Sequence, residues 1–234
     1  MSLYSYYLTD EKAIVTADSR MSVTIDDEVV VLNDAVDKIF QVDNDILTIS
    51  GYADVGKYLV EWYKNQKPQE RTVGNLHHKI LDTVNNLQSL VEQNVISEVQ
   101  KQKMEMDKKH LLEINIVHWD EQKERHIFYN IASYNHYNLF DFDMEGTSKI
   151  YSGNMNEKLK EYMKGREYSV NCIKEGYNAI AYEGVGGQIT IMTSQKGKIT
   201  VEKDLIKDNR KVKTIQDMII EKQNLIGNCI AGDR

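Results

Sequence analysis

One proline, Pro68, stands in 234 residues, and no Pro-, Gly- or Ser-rich linker divides the chain. A domain usually takes roughly 100–200 residues, and sandwiches run longer, so one domain is expected over residues 1–234. Cysteine is nearly absent: Cys172 and Cys229 lie far apart and outside any CxxC spacing. Two free thiols suit this pattern better than a disulfide or a metal site, and neither metal nor cofactor is expected. No apolar run reaches the ~18 residues of a membrane-spanning helix. The opening Met1-Ser-Leu-Tyr-Ser-Tyr-Tyr lacks the basic and long apolar regions of a secretory signal. A cytoplasmic protein without a membrane partner is the expectation. Positive charge is short as well, with 29 Lys and Arg against 36 Asp and Glu. A chain of net charge −7 with mixed signs offers no basic face to nucleic acid.

What is present is a sequence of short strands and amphipathic helices. Leu3–Leu8, Ala13–Ala17, Lys38–Val42 and Ile46–Ser50 read as strands separated by polar turns. Residues 19–37 read as a polar loop holding one apolar run, Val29–Leu32. A helix follows, with Val55, Leu59 and Trp62 on one face, and Pro68 ends it. A single long helix is then predicted from the stripe Leu76, Ile80, Val84, Leu87, Val91, Val95 and Val99. His77 and His78 beside that stripe have no ligand-like spacing. Leu111–Trp119 and His126–Ser133 read as a hairpin around Asp120–Arg125. The aromatic cluster Tyr137, Phe140 and Phe142 reads as packing rather than as a base-stacking platform. A second helix pair carries Met155, Leu159, Tyr162 and Met163, then Val170, Ile173, Tyr177 and Ile180, with Ser169 as cap. A last hairpin spans Gln188–Val201, and Thr214-Ile-Gln-Asp217 opens a final helix. Paired helices between hairpins suit antiparallel sheets covered by helices rather than a doubly wound parallel sheet.

Near the amino terminus, Ala13-Ile-Val-Thr-Ala-Asp18-Ser19-Arg20 runs an apolar strand into an acidic–polar–basic turn. Lys38-Ile39 follows, and Ile49-Ser-Gly51-Tyr-Ala53-Asp54 turns a strand into a helix. Each piece alone has a plain meaning. A Ser after Met is common; Asp18-Ser19-Arg20 can be a turn with an internal ion pair; Lys38 can be a solvated charge; Gly51 can be only a turn. Their joint order says more. A hydroxyl at the amino terminus, an Asp ending one strand and a Lys opening another are the parts of an N-terminal nucleophile hydrolase.

These segments, with Gly184-Val-Gly-Gly187 before a hairpin, resemble the proteasome β-subunit family, a branch of the N-terminal nucleophile hydrolases. The resemblance spans nearly the whole chain, with its detail in residues 2–63. It implies an α+β fold, a four-layer αββα sandwich of two antiparallel sheets flanked by helices. Counting back from Asp18 puts Ser2 where the family has its nucleophile, usually Thr. Removal of Met1 would free an α-amine of pKa about 7.7–8.0 to act as base. By the same resemblance Lys38 lowers the pKa of the nucleophile, Asp18 holds Lys38, and the Gly51 N–H faces the oxyanion. Ser152 and Gly153 stand where the family has a supporting Ser-Gly, and Tyr182-Glu183 where it has an Asp. Met21, Val36, Ile49 and Ala53 would line a mostly apolar substrate pocket. Peptides or small amides are the implied substrates. A homo-oligomer, such as a ring, and a partner unfoldase are the implied assemblies. The other reading is an inactive, proteasome-like scaffold or interaction protein.

Overall fold

The computed structural model describes residues 3–25, 28–107, 111–142, 146–153, 155–182, 184–207, 213–221 and 223. Alternation builds the first strand, β1 (Leu3–Leu8): Leu3 faces one side, and Tyr4, Tyr6 and Leu8 face the other. It pairs antiparallel with β2 (Lys12–Asp18). Farther along come β10 (Ser148–Gly153), β11 (Gln188–Gln195) and β12 (Lys198–Leu205), giving a five-stranded sheet in the order β10-β1-β2-β11-β12. The second sheet runs β5 (Ile39–Val42), β6 (Asp45–Gly51), β7 (Leu112–Asp120), β8 (Arg125–Ala132), β9 (Leu139–Phe142), in that order. Every strand pair in both sheets is antiparallel.

Three apolar clusters define the layering. One joins the second sheet to α1 (Ala53–Lys64), α2 (Val73–Asn85), α3 (Leu87–Glu92) and α4 (Glu98–Met106) through Leu47, Leu59, Ile80, Leu90, Met104 and Ile114. Another joins the first sheet to α5 (Asn156–Met163) and α6 (Val170–Ile180) through Leu3, Ile14, Leu159, Ile173 and Ile191. The third lies between the sheets and holds Tyr6, Val15, Ile46, Val117 and Phe128. Each fully buried large apolar side chain contributes about 1.5–3 kcal/mol, so the three clusters are the main source of stability. The chain is thus a mixed α+β protein with antiparallel sheets.

Several local expectations need correction. Residues 19–37 are not a plain loop: β3 (Met21–Ile25) and β4 (Glu28–Asn33) form a separate two-stranded hairpin. Val30 and Val31 are buried there, so the apolar run is a strand. The predicted long helix is three helices. Asn86 leaves helical geometry and its side chain accepts the Ser89 N–H, opening α3. Ser97 and Gln100 then close a capping box that opens α4, and Val99 of the stripe is solvent-exposed. Side-chain caps here override a periodicity that read as continuous. In the aromatic cluster, Tyr137 packs on the helices, whereas Phe140 and Phe142 lie exposed on edge strand β9. The capping role of Ser169 is present, with its oxygen accepting the Cys172 N–H. Thr214 and Asp217 exchange hydrogen bonds at the start of a helical segment, residues 215–221. Cys172 is a free thiol; Cys229 lies outside the described residues. Among the described residues no helix is long and apolar enough to cross a membrane.

Candidate active site

Asp18 closes β2 beside the start of β1, and its side chain is fully enclosed. A buried carboxylate must be satisfied by donors. Oδ1 accepts the Leu3 N–H at 2.8 Å and the Lys38 ammonium at 3.0 Å. Oδ2 accepts the N–H of Arg20 at 3.2 Å and of Gly186 at 3.5 Å. Lys38 enters just ahead of β5 and also donates to the Arg20 carbonyl at 2.6 Å. The Lys38 carbonyl takes the Ile49 N–H of β6, fixing its backbone to the second sheet. Burial moves both partners toward neutrality: it raises the Asp18 carboxyl against the pull of Lys38, and lowers the Lys38 ammonium against the pull of Asp18. The buried pair therefore bridges the two sheets.

The turn after Asp18 does not close on itself. Arg20 forks onto Asp34, with Nε at 2.6 Å and Nη2 at 3.1 Å, and its Nη1 reaches the Tyr182 carbonyl at 2.9 Å. Ser19 donates to the Asp34 carbonyl and accepts the Gln188 N–H at 2.7 Å. Gly186 is needed here, because a side chain would run into the Arg20 guanidinium. One cluster thus locks the β3–β4 hairpin and the glycine turn before β11 around Asp18. Nothing in the spacing of the sequence marks Asp34 as part of it.

Gly51 ends β6 with φ of 93°, and a Cβ there would collide with the Leu111 carbonyl. That carbonyl also takes the Tyr52 N–H at 2.9 Å, which turns the chain into α1. Ser152 and Gly153 end β10, in register with Tyr4 and Leu3. The structure therefore brings Asp18, Lys38, Ser152 and Gly153 to the same end of β1. Of the proposed pocket residues, Ile49 is buried beneath α1 against Gly56, and Val36 is buried near Ser19, whose carbonyl takes its N–H. Met21 and Ala53 are partly exposed at the starts of β3 and α1. Ser2 and Glu183 lie outside the described residues.

Between the sheets at this end lies a polar network that the sequence reading missed. Tyr6 shares a hydrogen bond with Thr48 at 2.6 Å, and Asn115 donates to the Tyr6 hydroxyl at 3.0 Å. Asn130 donates to Asn115 at 2.7 Å, and both amides reach Glu113 Oε1 at 3.2 Å. Burial raises the Glu113 carboxyl, opposed by these donors. The signal was present as Glu113-Ile-Asn115-Ile116, an alternation that reads as polar face outward; here the polar face points inward.

Neither a scan against protein-family models nor a search among curated proteins finds a match for the chain.

Proposed function

We propose that the chain is a proteasome-like N-terminal nucleophile hydrolase with the corresponding αββα sandwich fold, cutting peptides or small amides through Ser2. One observation carries this reading: the Leu3 N–H and the Lys38 ammonium share a single oxygen of Asp18. The two nitrogens are therefore within about 6 Å of each other, and Leu3 N is one bond from residue 2.

In this reading removal of Met1 gives Ser2 a free α-amine. The amine takes the Ser2 hydroxyl proton as the oxygen attacks the carbonyl carbon. Lys38 favours the developing alkoxide by its charge and, by like-charge repulsion, favours the neutral amine. Asp18 keeps Lys38 oriented. The Gly51 N–H meets the oxyanion, where one donor is worth about 10²–10³ in rate. The amine proton then passes to the leaving amine, and water hydrolyses the Ser2 ester by the same steps. Cytoplasmic location, a ring of identical subunits and a partner unfoldase go with this reading.

A second reading is an inactive scaffold of the same architecture. The enclosure of Asp18 favours it, since four donors on one carboxylate also make a structural clamp. Lys38→Met keeps the apolar stem and removes the charge. With a chain beginning at Ser2 and a panel of fluorogenic peptide amides, the hydrolase reading expects turnover that falls at least about 10²-fold in Lys38→Met. No turnover by the unaltered chain, or turnover indifferent to Lys38, sinks it.

A further inference from the structure

Where α2 and α4 end over the second sheet, the fold leaves a cleft of about 440 Å³. Helix capping makes it. Asn86 and Ser97 cap new helices, so an apolar stripe with the period of one helix breaks into α2, α3 and α4. Leu87 of α3, Met104 of α4 and Leu111, just before β7, then form a buried apolar floor. Leu81 and Val84 of α2 make a half-buried wall, and Tyr137 makes another. His136 and Tyr137 both take left-handed backbone, with φ of 59° and 58°, which is uncommon away from glycine. Two hydrogen bonds hold Tyr137 there. Its N–H donates to the Ala132 carbonyl at 2.8 Å, and His77 of α2 donates from Nε2 to its carbonyl at 2.7 Å. The buried polar side chain of the lining, Ser133, accepts the Leu112 N–H at 3.4 Å. Walls fixed in this way cost little to order when a ligand arrives.

We propose that this cleft binds an uncharged, mainly apolar small molecule. Sites for such ligands run from roughly 300 to 1,000 Å³, with apolar linings and few polar groups. An apolar cavity of about 150 Å³ holds one benzene, so this cleft has room for roughly two to three rings. The mouth sets the charge of the occupant. Glu105 stands there, solvent-exposed with Asn85 and His136, and both α2 and α4 close there with their carboxyl ends. A carboxylate and two helix carboxyl ends repel an anion. A charge of either sign pressed onto Leu87, Met104 and Leu111 would lose its water for an apolar floor. Among the described residues none of the Asp18–Lys38 cluster lines the cleft, so the inference stands apart from the hydrolase reading.

The test is fluorescence titration of the full chain with N-phenyl-1-naphthylamine, a neutral aromatic probe that brightens in apolar surroundings. Its sulfonate, 1-anilinonaphthalene-8-sulfonate, has the same rings with one negative charge. The neutral probe should saturate at one site per chain with Kd below about 100 μM. Leu81→Trp, which puts an indole into the cleft, should weaken it at least about tenfold. Val84→Phe fills the same space with less bulk and takes over if Leu81→Trp does not fold. A filled cleft should leave the unfolding midpoint unchanged or higher. Phe140→Ser removes an exposed ring on β9, away from the cleft, and should leave binding unchanged. The sulfonate should bind at least about tenfold more weakly than the neutral probe. Absence of saturable binding, or binding indifferent to the folded filling variants, overturns the inference. Binding lost in Phe140→Ser overturns it as well, by placing the probe on the edge strand. A sulfonate that binds as tightly as the neutral probe overturns the ligand class.

Discussion

The space between the two sheets has two unlike halves, supplied by the same strands. Two residues apart on β1 stand Leu8 and Tyr6; on β6, Ile46 and Thr48; on β7, Val117 and Asn115; on β8, Phe128 and Asn130. One half is dry and packs Leu8, Val15, Ile46, Val117 and Phe128. The other exchanges hydrogen bonds among Tyr6, Thr48, Asn115, Asn130 and Glu113. The pleat is identical, so the difference is purely side-chain chemistry. Apolar contact is non-directional and supplies stability. Hydrogen bonds add little net stability but fix orientation, and they are expensive to break singly.

The contrast is broken most severely from the dry side. Phe128 is buried and meets Tyr6 edge-on at 4.9 Å. Phe128→Ala should lose about 3–5 kcal/mol in denaturant unfolding, from lost transfer energy and a cavity. A loss below about 1 kcal/mol would show that this half is not the anchor of the sandwich. Asn115→Ala should cost less, about 1–3 kcal/mol, by leaving the Asn130 amide and Glu113 short of a partner. Thr48→Val should cost about 0.5–1.5 kcal/mol, since Tyr6 keeps Asn115. A Thr48 effect larger than that of Phe128 would reverse the assignment of the two halves.

The smallest effect is a pH signature at the far end of β7. His118 meets Asp45 at 2.7 Å, and that hydrogen bond raises its pKa above 6.5, helped by the charges of Asp45, Asp120 and Glu121. Its stabilisation is complete below the unfolded value and is lost as pH rises through the folded one. His118→Gln should therefore cost more at pH 5.5 than at pH 8.5, by about 1 kcal/mol at most because the ring is 38% exposed. His126, held by Ser194 at 2.9 Å and beside Trp119, behaves oppositely. Burial lowers its pKa, so its contribution is present above 6.5 and is lost as pH falls toward the folded value. His126→Gln should flatten the acid side of the Tm profile, while His118→Gln should steepen it. Matching slopes for the two variants would contradict the assignment.

Much of the fold was legible because period-2 and period-3.6 patterns are local. The turns at Asp120–Arg125 and Gln195–Gly197, and the cap at Ser169, follow from the residues in place. What stayed hidden depends on neighbours distant in sequence. The β3–β4 hairpin packs Val30 and Val31 where a polar loop was expected, and the inward polar row at Asn115 and Asn130 inverts the usual rule for a half-buried strand. At the candidate site, Asp18 and Lys38 were readable as a pair and are found 3.0 Å apart. Asp34, which holds Arg20, and Glu113, which accepts from Asn115 and Asn130, were not readable. Both act through tertiary contacts that no short motif encodes.

The most direct measurement is intact mass and peptide mapping of protein prepared with a native amino terminus and treated with a peptide epoxyketone, which needs a hydroxyl and an adjacent free amine. A chain beginning at Ser2 should gain one inhibitor mass, mapped to Ser2, and Lys38→Met should suppress the adduct. A retained Met1, an unmodified Ser2, or an adduct elsewhere would contradict the assignment of the polar end as a hydrolase site.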